Sequence, residues 1–415
     1  MSTHSVRFVH ASDLHLEQTL GGLTSVPTWL RDDFIDAPFK AAENVFNVAI
    51  KEDADFVVLS GDILDIETAG PRAIDFLLSQ FQRLHENKTK VYWCGGAVDD
   101  PDLWPVEISL PKNVHVFSTG SLQTFEFRHR DRVVATLTGQ SRRSGRDSNL
   151  ADFSQSASQG AKIAVGYGQF AKRALQKTSI DYWALGGRHN EKTLYQERSA
   201  ARYSGAPQGF TPDETGGHGC TVVTIEHGRV SCRNVPTQVI QWHREPLQLA
   251  ADANRKDLEQ SIRNQLSSLR SARSNCLTLV TWAVMCNGPL ANDLRNDKIC
   301  DTLLSSISQA DGERDGENDV VSVAIENEPR PISDSRFEEE TIMGDFLRTV
   351  REFEADPNRI VDLAEYLPDT SVRHEVVSAL TLASSTDRKN ILRRVAALGA
   401  DLLSGDAETP ELQTK

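Results

Sequence analysis

Short apolar runs alternate with amphipathic segments along residues 1–235. The runs VRFVHA (6–11), DFVVLSG (55–61), KVYWCG (90–95), NVHVF (113–117), RVVATLTG (132–139), KIAVGYG (162–168), DYWALGG (181–187) and CTVVTIE (220–226) are short and rich in β-branched and aromatic residues, and we read them as strands. Between them, 37–52 places Phe39, Ala42, Val45, Phe46 and Ala49 on one helical face. A second helix is expected over 71–86, with Pro71 in its first turn. The polar, chemistry-bearing turns follow strand ends, which is where open α/β sheets place their ligand sites.

The pattern shifts near NVPTQVIQWHREPL (234–247). Beyond it, 255–270 reads as a polar amphipathic helix, and LTLVTWAVM (277–285) and VVSVAIE (320–326) read as strands of a small α/β domain. ENEPRPISDS (326–335) has the composition of a linker. Two apolar stripes follow. Ile342, Met343, Phe346, Leu347, Val350 and Phe353 mark a helix at 338–354, and Ile391, Leu392, Val395, Leu398 and Leu402 mark one at 387–403. The expected domains are therefore 1–235, 236–330 and 331–415, in keeping with a length of 415 residues.

Composition narrows the class. Apolar residues at 39% and charged residues at 25% fit a soluble globular protein. No apolar run approaches the ~18 residues of a membrane span, and the start, MSTHSV, shows no signal-peptide core. The six cysteines form no C-x-x-C pair, which argues for a reduced cytoplasmic chain and against a zinc ribbon. A net charge of −14 is unlike that of an obvious nucleic-acid binder. Positive charge is nonetheless clustered at Arg128, Arg130, Arg132, Arg142, Arg143 and Arg146, and acids gather at 311–319 and 338–340.

Four short motifs sit at strand ends: Asp13-Leu14-His15, Gly61-Asp62, Gly96-Ala97-Val98-Asp99 and Gly186-Gly187-Arg188-His189. In the first, Leu14 can enter the core while both polar neighbours reach one ion. Each motif alone is weak, because a strand-end Asp is usually a turn former. Their order and strand context carry more weight. Together with SDLHL, LSGDILD, DDPDLWPVEISLPKNVHVF, DYWALGGRH and YSGAPQGFTPDETGGHGCTVV, they resemble the calcineurin-like metallophosphoesterase superfamily, on the branch of the SbcD-type DNA-repair exonucleases.

The resemblance implies a four-layer α/β/β/α sandwich with a small α/β capping domain and C-terminal helices. It also implies two divalent metals, usually manganese, that hydrolyse phosphodiesters. Carried over position by position, Asp13, His15, Asp62 and His189 match the ligands of the first metal. The positions of the second metal hold Ala97 for an asparagine, Tyr167 for a histidine and Gly187 for a histidine, with Asp62 shared. Val98 stands where the family has its proton-handling histidine. Asp99 matches a residue that supports the loop, and Asp65 falls where relatives often have another histidine. Asp65, Asp99, Asp100, Tyr167 and His218 are the residues from which a replacement second site would be assembled.

The expectation is an SbcD-like subunit of a DNA-end-processing complex that keeps one metal, manganese or alternatively iron or zinc, and has weak or absent nuclease activity. The rival readings are an active phosphodiesterase with a rearranged second site and a non-catalytic scaffold. By resemblance, the C-terminal helices would grip the coiled coil of an SMC-like ATPase, DNA ends would be the substrate, no membrane is involved, and a homodimer is left open.

Overall fold

A computed structural model of the chain describes residues 5–24, 26–142, 153, 160–250, 252–271, 276–286, 288–310, 319–328, 332–356 and 385–404. Arg143 and Arg146 of the arginine cluster, and residues 311–318 of the acidic run, lie outside the described residues. The chain divides into two compact units. The first comprises Met1–His243, Arg273–Leu279 and Arg314–Val321; the second comprises Arg244–Ala272, Val280–Glu313 and Ser322–Lys415.

Two six-stranded sheets build the first unit. One contains β1 (Val6–Ala11), β2 (Phe56–Leu59), β3 (Lys90–Trp93), β4 (Val114–Val116), β11 (Gly219–Glu226) and β12 (Arg229–Pro236), in the order β12-β11-β1-β2-β3-β4. From β1 to β4 the neighbours run parallel, whereas β11 pairs antiparallel with both β1 and β12. The other contains β5 (Gln123–His129), β6 (Arg132–Gly139), β7 (Ala161–Tyr167), β8 (Tyr182–Gly186), β9 (Lys192–Gln196) and β10 (Ala200–Tyr203), in the order β5-β6-β7-β8-β10-β9.

The run FVVL of β2 is buried throughout because both of its faces are covered. Val57 and Leu59 face helices α1 (Arg31–Lys51) and α2 (Pro71–Glu86), where they meet Val45, Phe46, Leu77 and Phe81. Phe56 and Val58 face the second sheet and pack with Leu137, Ile163, Val165 and Tyr182. The layers thus run helices, sheet, sheet. On the far side of the second sheet, Trp183 and Leu185 are covered by Phe153, Phe170 and Leu175, the last from the single-turn helix α3 (Lys172–Leu175).

Strands β13 (Ile240–Gln248), β14 (Leu277–Met285) and β15 (Val320–Asn327) form a three-stranded sheet in that order. The second unit adds helices α4 (Arg255–Ser271), α5 (Gly288–Asp293), α6 (Asp297–Ala310), α7 (Asp334–Phe337), α8 (Ile342–Ala355) and α9 (Ser385–Ser404). Leu258, Ile262 and Leu266 form the buried stripe of α4. Leu347 and Val350 of α8 pack against Leu392 and Ala396 of α9. No described helix is long and apolar enough to cross a membrane.

Candidate metal centre

Parallel pairing aligns the carboxyl ends of β1, β2 and β3 in one sheet and of β7 and β8 in the other. Backbone bonds then lace the turns together. Asp13 and His15 donate their N–H groups to the carbonyls of Gly61 and Asp62, at 2.9 and 3.1 Å. Across the sandwich, the Gly187 N–H lies 3.1 Å from both carboxylate oxygens of Asp13. Gly186 has no room for a side chain: a Cβ there would stand 1.8 Å from the Ser60 carbonyl oxygen.

The backbone at the site is strained. Asp13, His15 and Asp62 have φ of 54°, 42° and 54°. The other described non-glycine residues with positive φ have a local reason. Asp53 and Lys88 follow helices α1 and α2, and Arg130, Asp131 and His227 sit in hairpin turns. The three site residues follow strand ends without such a motif, and strain retained by surrounding structure in this way marks functional turns. Leu14, between two of them, is buried in the helix-side core.

Asp13, His15 and His189 each offer a ligand atom, and these atoms lie within 4.8 Å of one another. His15 Nε2 is buried without a hydrogen-bond partner. An orphaned imidazole nitrogen facing a carboxylate and a second imidazole is what a divalent ion requires, so these residues fit one. Each histidine is also oriented from behind. His15 Nδ1 is 3.1 Å from Glu17 Oε1, and His189 Nδ1 is 2.7 Å from Glu214 Oε1. Each carboxylate favours the Nδ1–H tautomer and leaves the Nε2 lone pair for a metal. The Glu214 hydrogen bond raises the pKa of His189 against the effect of burial. Burial also lowers that of His15, but the Glu17 bond and the charges of Asp62, Glu17 and Asp13 leave it raised. Burial raises the pKa of Asp13, although Ser12 Oγ donates to its Oδ2 at 2.5 Å. Phe210 lies against both imidazoles, with ring centroids 5.7 and 5.6 Å away.

Asp62 stands beside this cluster, its Oδ2 3.9 Å from His15 Nε2, but its carboxylate is engaged elsewhere. Oδ1 accepts the N–H groups of Ala97 and Val98 at 2.6 and 3.1 Å, and Oδ2 accepts the Tyr167 hydroxyl at 2.5 Å. Burial, reinforced by Asp62, raises the phenol pKa, so Tyr167 is a donor. Its ring lies in a cradle of glycines. A Cβ on Gly61, Gly96 or Gly187 would fall 2.5, 2.7 or 3.1 Å from it. Gly187 also has φ +93°. The residues at the second-metal positions therefore do not fit an ion: Ala97 and Gly187 carry no ligand, and Tyr167 fills the space; Val98, at the proton-handling position, carries no titratable group.

The other candidates have separate tasks. Asp99 accepts N–H groups from Asp62, Ile63 and Gly96 and from the Trp93 indole, tying the ends of β2 and β3 together. Burial pushes its pKa up to about 7 despite these donors. Asp65 accepts from Thr68 Oγ1 at 2.6 Å and from the Glu67 N–H at 3.0 Å, closing its own turn. The ring nitrogens of His218 lie 3.2 and 3.1 Å from the carbonyls of Ala206 and Glu214, behind the centre. Asp65, Asp99 and His218 thus assemble no replacement second site. Two functional residues escaped the sequence reading. Glu17 carried a signal, the alternation Asp13-His15-Glu17. Glu214 carried none, because it reaches His189 from a loop 25 residues away.

Residues 6–196 match the calcineurin-like phosphoesterase family (Metallophos). The chain is 28% identical over 288 residues to an uncharacterized metallophosphoesterase, YhaO of Bacillus subtilis (strain 168), covering 66% of this chain and 71% of YhaO. Among solved structures it is similar to TT1561 of Thermus thermophilus, at 10% identity and a TM-score of 0.33, over 56% of this chain and 99% of that one. It is also similar to a dimetal phosphatase from Danio rerio, at 13% identity and a TM-score of 0.34, over the same shares of 56% and 99%.

Proposed function

We propose, from the premise that residues 6–196 form a calcineurin-like metallophosphoesterase domain, that this chain is an SbcD-type subunit with one metal and slow phosphodiester cleavage. Asp13, His15 and His189 would hold the ion, with Asp62 at its flank. Their mixed O/N donor set suits manganese, iron or zinc. A bound divalent ion supplies Lewis-acid polarisation of a phosphate oxygen. The chain's own residues supply the rest. Glu17 and Glu214 hold the imidazoles, Asp99 fixes the loops, and Phe210 packs against the rings of His15 and His189.

One observation carries the reading: Asp62, which would be shared by two metals, already accepts two backbone N–H groups on Oδ1 and the Tyr167 phenol on Oδ2. A second ion would compete with these donors for Asp62 and would meet a tyrosine at 167 and a glycine at 187 in place of histidines. Valine at 98 also removes a proton-transfer group, an effect of roughly 10²–10⁴-fold on rate.

The partner expected for such a subunit is a coiled-coil ATPase acting at DNA ends. Support comes from α9, where Val395, Leu398 and Leu402 remain 41%, 46% and 44% exposed along one side of the helix while Leu392 and Ala396 pack on α8. The cytoplasmic assignment rests on the cysteines, all six of which are free. The test is elemental analysis together with a manganese-dependent nuclease assay on linear duplex. We expect one ion per chain and turnover far below that of a relative with both sites intact. Two ions per chain with brisk cleavage would overturn the reading.

A further inference from the structure

A phosphoester bound beside a single divalent ion still presents negative charge that one cation balances poorly, and the surrounding site is acidic. Asp13, Asp62, Asp99, Glu17 and Glu214 all lie within two contacts of the cluster. Among the described residues, two cations in this region have their charge unspent: Arg188, over the Tyr203 ring, and Arg142, over the ring of the Tyr167 that bonds Asp62. Arg142 follows the end of β6, and its guanidinium carbon lies 5.5 Å from the centroid of the Tyr167 ring. Among the described residues, that guanidinium makes no hydrogen bond or ion pair.

Its backbone, in contrast, is tightly fixed. The Arg142 N–H donates to the Gly95 carbonyl at 2.9 Å. The Gly95 N–H donates to Ser141 Oγ at 2.8 Å, and Ser141 Oγ donates to the Phe117 carbonyl at 2.5 Å. The side chain is therefore mounted on the loop Gly95–Val98 that flanks Asp62. Tyr167 links the two groups: its hydroxyl donates to Asp62 Oδ2, and its ring offers the guanidinium a face. A guanidinium held over a ring in this way keeps its planar fork of donors for an oxyanion.

We propose that Arg142 is a phosphate-binding residue of this site, and that the Tyr167–Arg142 pair provides positive charge where the second metal is missing. The ligand class is a phosphate group with free non-bridging oxygens, whether in a phosphoester or as inorganic phosphate. This inference rests on the one-metal phosphoesterase reading, but its test is separable from it.

The test is binding of inorganic phosphate to the full-length chain by isothermal titration, with and without manganese. Arg142→Gln should weaken phosphate binding roughly tenfold or more in both states, the loss expected for a charge-assisted hydrogen bond. Its manganese content and melting temperature should be unchanged, because the side chain contacts no ligand residue. Arg142→Lys, a point charge without the fork, should fall between the two. Arg128→Gln, which removes the same charge from an exposed ion pair on β5, is the control for net charge and should bind like the wild type. Substrate class is read with p-nitrophenyl phosphate and its bis-ester as competitors, which distinguish a mono- from a diester preference, and both should lose affinity in Arg142→Gln. The proposal fails if Arg142→Gln binds phosphate as the wild type does, if Arg128→Gln loses as much, or if the wild type binds no phosphate. A second ion in elemental analysis would overturn the one-metal reading and leave this comparison interpretable.

Discussion

At the scale of the residue, the centre is defined as much by what orients its ligands as by the ligands. Removing one anionic donor with Asp13→Ala should empty the site, read as loss of bound manganese by elemental analysis. Glu214→Gln keeps the shape but weakens the hold on His189, and manganese affinity should fall about 10–100-fold. Rebuilding the second site meets a backbone obstacle. Gly187→His places a side chain at φ +93° and against Tyr167, and should cost about 1–3 kcal/mol in thermal unfolding even where Tyr167→His has cleared the ring. Away from the centre, His10 bridges Tyr182 Oη and Ser60 Oγ, each at 2.9 Å, and burial lowers its pKa to about 3. The folded value lies below the unfolded one, so the unfolded chain takes up the proton first. Stability from this group is complete above pH 6.5 and is lost as pH falls toward 3, with a slope near 1.4 kcal/mol per pH unit. Denaturant unfolding at successive pH values should show that slope reduced in His10→Gln, and an unchanged slope would remove His10 as its source.

At the scale of the element, legibility follows burial in the longer elements. Strand β1, strand β6 and helix α2 stand where the apolar pattern put them, because a face covered on folding leaves its period in the sequence. Helix α1 was read from residue 37 but begins at Arg31, with Pro38 inside it. The carbonyl that Pro38 leaves without a donor, that of Phe34, accepts the Leu20 N–H at 3.2 Å, a compensation from a distant loop that no local rule anticipates. Strands β5, β9 and β12 leave little apolar signal because their residues are mostly partly or fully exposed, and β10 escapes the pattern although all four of its residues are buried, because AARY is short and has no β-branched residue. The site was legible wherever a motif sits in one turn, as at Asp13 and His15. It was illegible where a contact joins distant strands: Tyr167 was read as a lost ligand, and only the structure shows its ring filling a glycine cradle. Helix α9 carries the prediction proper to this scale. Leu398→Asp, on its exposed side, should abolish co-purification with a coiled-coil ATPase while leaving the melting temperature within a degree or so, since exposed substitutions shift stability by about 0.5 kcal/mol or less. A variant that melts early would instead make this face part of the second unit's own packing.

At the scale of the whole molecule, the two units have distinct cores, and deleting residues 336–415 is expected to leave the first unit folded, as judged by its near-ultraviolet circular dichroism. Within that unit the ligand atoms come from opposite layers: Asp13 and His15 leave β1 of one sheet, whereas His189 follows β8 of the other. An ion coordinated by all three is consequently a rivet through the sandwich as well as a reagent. Unfolding would scatter its ligands, so every ion bound to the native state alone is withdrawn from the unfolded ensemble. At a free-ion concentration about 100 times the dissociation constant, this linkage adds about 2.7 kcal/mol to the stability of the fold. Chelation should therefore lower the melting temperature of the wild type and leave that of Asp13→Ala unchanged. A chain whose turnover proves slow would in that case still have reason to keep three ligands, because the ion would also serve as mortar.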